Sequence, residues 1–313
     1  MLEIATWINA EEAGAFFGQH AILVFVLVLA ALFATGICLR CLLAQLERSV
    51  SHFAPADDQH VRDSANLCSF RDRFFRPFAN VDYGPSLDGH LGLYLTISLF
   101  VLTVTSGSFL VLALEIGQQD WLVRFDHSLS ASLYEHSTVN AVRIFQLVSV
   151  FGDASTLAST SVVFVIALVI IRHWRLLFLW TITLPGAGIL NQFLKNTLQR
   201  QRPQLPKPWI AESGWSFPSG HAMCSLVIYG LLAYSICFLP TSRAVRLSFG
   251  LLTILLVFAI GFSRLYLGAH YFSDVMAGYL AGTFWLVLCI TGNQAAQYRS
   301  TFGSSEIGQS RAL

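Results

Sequence analysis

Charge is what this 313-residue sequence has least of: Asp, Glu, Lys and Arg make up 12% of it, against about 25% in soluble domains. Disorder is excluded, since it needs high charge and few apolar residues, and here 55% are hydrophobic. A net charge of +1 supplies no basic field for a nucleic-acid partner. The six cysteines form no disulfide framework, because Cys38, Cys41, Cys224, Cys237 and Cys289 lie in or at the ends of apolar runs and Cys68 lies in a polar loop. Cys38 and Cys41 lack the further ligands a metal needs. No internal repeat or low-complexity tract is present.

The sequence does have long runs without charge, of 17 to 24 residues, where about 20 apolar residues cross a bilayer as a helix. Seven segments qualify: 21–39, 91–114, 154–171, 176–194, 222–242, 247–263 and one from 275 to before 299. Each is apolar all round, as a lipid-facing helix is. Gly186 and Gly188, after Pro185, fit a kink or a close helix contact in the fourth. The first is preceded by Glu3, Glu11 and Glu12 and by no Lys or Arg, the reverse of a secretory leader, so it reads as a retained helix. The expected fold is all-α, a polytopic membrane helical bundle.

Lys and Arg set the orientation. With the N-terminus external, the internal segments hold Arg40, Arg48, Arg62, Arg71, Arg73, Arg76, Arg172, Arg175, Arg243, Arg246, Arg299 and Arg311, twelve of nineteen basic residues. The short 172–175 and 241–246 turns weigh most. The C-terminus is then internal. Residues 43–90 read as a solvated internal loop, and 115–153 as an external segment with amphipathic patterning around 121–133 and 139–150, suited to the membrane surface.

Three polar clusters break the apolar background: Lys195 to Arg202-Pro203, then Pro218-Ser219-Gly220-His221, then Ser263-Arg264 to His270 and Asp274. The derived topology puts all three on the external face. Singly, each has a bland reading: Lys195 as an interfacial anchor, Ser219-Gly220 as a helix start, His221 or His270 as a boundary histidine, and Asp274 as a dipole-favoured acid. Together they suit an anion. Lys195, Arg202 and Arg264 are three cations, two of them guanidinium forks that fit phosphate. Ser219 and Gly220 open a helix whose free N–H groups attract an anion. His270 and Asp274, four apart, share a helix face, so the carboxylate can fix the imidazole tautomer and free the other nitrogen to attack. His221 can protonate a leaving oxygen. The set describes a phosphomonoester or pyrophosphate hydrolase.

The Lys-x6-Arg-Pro, Pro-Ser-Gly-His and Ser-Arg-x5-His-x3-Asp patterns, all complete here, resemble the signature motifs of the type-2 phosphatidic acid phosphatase superfamily, in its membrane branch. The resemblance covers roughly 91–292, and implies a six-helix phosphatase core there. One extra N-terminal transmembrane helix and loop (1–90) would precede it, and an internal tail (293–313) would follow. It implies a phosphohistidine on His270 oriented by Asp274, His221 as acid, and Lys195, Arg202, Ser219, Gly220 and Arg264 as the phosphate site, with no metal or cofactor. A site at the outer membrane–water boundary suits a lipid phosphate. The resemblance suggests undecaprenyl pyrophosphate, phosphatidylglycerophosphate, phosphatidic acid or a lipid A phosphate, in a bacterial cytoplasmic membrane with the site facing the periplasm. Trp209 and Trp215 read as interfacial belt residues. Vanadate-dependent haloperoxidases share the motif set but are soluble, which seven membrane segments oppose. A lipid phosphotransferase using the same phosphohistidine stays open, and complete motifs count against a non-catalytic transport or lipid-binding protein.

Overall fold

Asn9 opens the first helix of the computed structural model, which describes residues 9–52, 88–118, 121–206 and 208–310. Residues 53–87, most of the expected internal loop with Cys68, lie outside the described residues, as do Lys207 and Arg311. Among the described residues every regular element is an α-helix. Apolar runs in lipid require this, because only a helix or a closed barrel satisfies its own backbone there.

Helix α1 (Ala10–Gln19) was not foreseen. The Asn9 side chain accepts the Glu11 N–H at 3.1 Å, and Glu11 and Glu12 occupy the first turn, where the helix dipole favours acids. Its buried Ala10, Gly14 and Gly18, spaced by four, face α4 (Trp121–Glu135). There Ser128 and Ser132 donate to the carbonyls of Ala10 and Ala15 at 3.3 and 2.8 Å. Small residues at this spacing let two backbones approach closely. The amphipathic patterning of 115–153 becomes α4 and α5 (Val139–Val150).

The other helices are α2 (Ala21–His52), α3 (Asp88–Gln118), α6 (Ala154–Ile170), α7 (Trp174–Leu198), α8 (Gly220–Ile236), α9 (Arg243–Tyr266) and α10 (Phe272–Ser310). Among the described residues, six stretches are long and apolar enough to cross a membrane: 21–38, 94–118, 139–170, 174–198, 243–266 and 272–296. The expected 222–242 segment is the exception, because α8 is only 17 residues long. The chain turns from Cys237 onward, with the Cys237, Phe238 and Leu239 N–H groups bonding three residues back. Residues such as Leu99, Val163 and Ile170 expose 65–74% of their surface, an apolar girdle that water would not tolerate. The chain is a multi-pass membrane protein.

Short α8 is the centre of the bundle. It packs on α6, α7, α9 and α10, and its Ala222, Met223, Val227 and Leu231 are fully buried. Gly278 of α10 lies so close that a Cβ there would stand 2.7 Å from the Ser219 carbonyl oxygen. In α7, Gly186 admits the Trp285 ring, whose Nε1–H donates to the Thr183 carbonyl at 2.9 Å, whereas Gly188 faces open space. Helices α6 and α8 run away from the site described below, and α7 and α9 return to it. The 171–173 and 237–242 turns therefore lie at the opposite end of the bundle.

Candidate active site

The third motif is built around the turn from α9 to α10. Gly268 takes φ +70°, a conformation that favours glycine, and a Cβ there would also meet Leu205 at 2.3 Å. The Arg264 carbonyl accepts from the Ala269 and His270 N–H groups, at 3.0 and 3.3 Å, and so pins His270 just before α10. Asp274, in the first turn of α10, reaches back to accept the Tyr271 N–H at 2.9 Å, the return half of a capping box. The same oxygen lies 3.4 Å from His270 Nδ1. With Nδ1–H directed at the carboxylate, Nε2 holds the free lone pair, and an Arg202 nitrogen lies 3.3 Å from it. Burial pushes the His270 imidazole down to about 3, so the ring is neutral at physiological pH.

Arg200, at an unspecified position between Lys195 and Arg202 in the first motif, holds the other Asp274 oxygen at 2.6 Å. It also bonds Asp126 at 2.8 Å and Ser273 Oγ at 2.7 Å, and lies 4.3 Å from the Tyr271 ring centre. Asp126, fully buried on α4, accepts from the Ser273 N–H at 3.1 Å and from its hydroxyl. Burial alone would lower the Arg200 guanidinium, but Asp274 and Asp126 outweigh it and hold it above its ordinary value. An acid in an amphipathic helix gives no sequence signal of such a partner.

The second motif caps α8. Ser219 Oγ accepts the Ala222 N–H at 3.5 Å, and the Ser219 N–H donates to the Asp274 carbonyl at 2.9 Å, which ties this motif to the third. Gly220 leaves room for Asn191, since a Cβ would stand 3.1 Å from its Oδ1. His221 follows, with Nε2 2.8 Å from an oxygen of Asp153, the acid that precedes α6. Gly152 makes this approach possible, because a Cβ would lie 2.8 Å from His221 Cδ2. The Asp153–His221 pair, 68 residues apart, was likewise missed.

The three cations differ in their surroundings. Arg202 donates to the carbonyls of Gly214, Ala269, Ser213 and Trp215, at 3.0, 2.8, 3.4 and 3.5 Å, so it orders the 203–219 segment around itself. Burial lowers its guanidinium from the ordinary value. Arg264 is buried, donates to Ser149 Oγ, and keeps its Nε without a partner. Lys195, in the last turn of α7, forms no hydrogen bond or ion pair with any described residue but lies within electrostatic reach of Arg202, Arg264 and Asp274. Glu212, singled out by no motif, bridges the arginines: one oxygen is 2.8 Å from Arg202 and 3.9 Å from His270 Nε2, and the other contacts Arg264. The Trp209 ring lies 6.1 Å from that of Tyr134 on α4 and packs, partly buried, against the apolar cluster that α4 and α5 help to form.

The geometry thus brings His270, Asp274, Arg202, Arg264, Ser219 and Gly220 together. His221 stands beside them on α8, and Lys195 within reach. A neutral histidine with one nitrogen fixed and the other facing guanidinium groups can attack an electrophile that carries negative oxygens.

Comparison with known proteins bears on the same region. "Phosphatidylglycerophosphatase B" of Bacillus subtilis is 36% identical over 99 residues, 30% of this chain and 46% of that one. "Lipid A 4'-phosphatase" of Bacteroides thetaiotaomicron is 30% identical over 145 residues, 41% of this chain and 61% of that one. The chain thus spans about half the length of these curated relatives. The crystal structure of a transmembrane PAP2 type phosphatidylglycerolphosphate phosphatase from Bacillus subtilis shares the fold, with a TM-score of 0.59 at 24% identity, over 63% of this chain and 97% of that one. The family model of the PAP2 superfamily matches residues 174–298, which carry all three motifs but neither Asp126 nor Asp153. Over that stretch the sequence is similar to the PAP2 superfamily.

Proposed function

We propose that this protein is a metal-independent lipid phosphate phosphatase acting through a phosphohistidine. The observation that carries the reading is His270, neutral, with Nδ1 at Asp274 and Nε2 among the cations. Nε2 attacks phosphorus, the P–N bond forms as the bond to the leaving oxygen breaks, and protonated His221 gives that oxygen its proton. Asp274 balances the charge the imidazole gains. Water then attacks phosphorus and gives a proton to His221, the P–N bond breaks, and inorganic phosphate leaves. Arg202, Arg264, Lys195 and the N–H groups at the start of α8 stabilise the negative oxygens throughout. The relatives named for phosphatidylglycerophosphate and lipid A favour a lipid phosphomonoester. So does an apolar recess of about 170 Å³ lined by Phe109, Leu190, Leu194 and Phe284. It adjoins the second motif, since the Phe109 ring is 5.6 Å from that of Phe217.

The test is phosphate release by purified protein from phosphatidylglycerophosphate, phosphatidic acid, lipid A and undecaprenyl pyrophosphate, with acid-labile phosphoenzyme trapped during turnover. His270→Ala is expected to abolish both, and His221→Ala to slow turnover by about 10²–10⁴-fold. EDTA should leave the rate intact while orthovanadate inhibits it. Wild-type turnover by His270→Ala, or loss of activity in EDTA restored by Mg²⁺, would overturn the reading.

A further inference from the structure

Resting on the proposed phosphatase reading, we infer that Glu212 is a specificity-determining gate: its carboxylate closes the phosphate cradle against singly charged phosphodiester head groups and yields to a doubly charged phosphomonoester. The carboxylate bridges Arg202 and Arg264 and lies 3.9 Å from the His270 nitrogen that would attack, the position a phosphoryl group must take. It is the one acid of the 199–219 segment, and the remaining acids of the site are already engaged, Asp274 by Arg200 and Asp153 by His221.

A site that opens onto lipid meets the diester head groups of the bilayer at far higher concentration than any phosphomonoester. A diester carries one negative charge, as does the tethered carboxylate, and tethering raises the effective concentration of the carboxylate. Exchanging one for the other gains nothing. A phosphomonoester carries about −1.5 to −2 near neutral pH, so two guanidinium groups and the Lys195 ammonium, which pairs with no described residue, attract it more strongly than they attract Glu212. The Glu212 side chain is 25% exposed, whereas that of Arg264 is 2% exposed, so the acid is the partner with room to leave. Its departure leaves the segment in place, because Arg202 holds the Ser213, Gly214 and Trp215 carbonyls independently.

The test compares wild type and Glu212→Gln in detergent by calorimetric titration with orthovanadate, then with orthovanadate in the presence of dioctanoyl phosphatidylglycerol, a soluble phosphodiester. A cradle that is open one-tenth of the time binds about tenfold more weakly than an open one. Glu212→Gln is therefore expected to bind orthovanadate at least about tenfold more tightly, and the diester to displace it from the variant alone. Should that variant lose its single gel-filtration peak, Glu212→Asp, too short by one methylene to span both arginines, takes its place. Equal or weaker binding, binding by neither protein, or tighter binding that the diester does not disturb overturns the proposal. Failure of the phosphatase reading is a separate outcome, namely orthovanadate binding by wild type without phosphate release from any lipid phosphomonoester.

Discussion

Asp153 and His270 show how single residues set the protonation chemistry of the site. Asp153, 2.8 Å from His221, orients the group that would protonate the leaving oxygen. We expect Asp153→Asn to lower kcat about tenfold to a hundredfold on an alkyl phosphomonoester with KM little changed, a part of what general acid catalysis contributes. The loss should shrink on p-nitrophenyl phosphate, whose leaving group needs no proton. An equal loss on both would make Asp153 merely structural. For His270, the folded site refuses a proton that the unfolded chain accepts below its ordinary value of 6.5. Stability is therefore complete above about pH 6.5 and falls as the pH drops toward 3, by about 2 kcal/mol at pH 5. Melting in detergent at pH 7.5 and pH 5 measures this, and His270→Gln should flatten the difference. The His270–Asp274 pair was legible because a four-residue spacing is local, although His270 sits in the turn before α10 and Asp274 reaches back to it from the first turn instead of sharing a helix face with it. Glu212 and Asp153 were not, because only tertiary folding gives them partners, and an isolated acid beside a membrane segment reads as a solvated end.

Among the elements, α1 and α4 form the pair that hydropathy could not reveal. Neither is long enough to span, and the contact depends on Gly14 and Gly18 rather than on apolar bulk. A Cβ on Gly14 would stand 2.8 Å from the Leu129 backbone nitrogen. Gly14→Val is therefore expected to separate the helices at about 1–3 kcal/mol of stability. Turnover should fall with it, because α4 carries Asp126 and hence the Arg200 that holds Asp274. Gly188→Ala, which meets nothing within 4 Å, is the control, and an equal loss there would sink the argument. Helix α8 gives the complementary lesson. Its apolar run was plain, but its early end at Ile236 was not, because residues 237–242 remain apolar enough to continue a span while their backbone turns.

For the molecule as a whole, sidedness decides which lipids the site can meet. Arg172 in one short turn, and Arg175 and Arg243 at the helix starts that follow the two turns, lie at the bundle end opposite His221 and His270, and basic short loops stay inside. We expect a cysteine at Ser213, on a background without the native thiols, to react with a membrane-impermeant reagent in intact spheroplasts. One at Arg243 should react only after permeabilisation. The reverse pattern would move the chemistry to the cytoplasmic leaflet. The all-helical architecture and the meeting of three motifs at one end followed from hydropathy and spacing. The brace from α4 did not, since no pattern links Asp126 with Ser273, 147 residues later.

That separation has a consequence for how the protein is made. Ribosomes add about 5–20 residues each second, so Asp126 and Arg200 wait many seconds before Ser273 and Asp274 emerge to meet them. Until α10 is made, the nascent chain lacks the His270–Asp274 pair that the proposed mechanism uses as nucleophile and orienting carboxylate. On the proposed mechanism the nascent chain is inert until then, and a chain stopped after Gly268 should trap no phosphoenzyme. On that mechanism activity begins only once α10 joins the bundle, so half-assembled copies leave lipid phosphates intact.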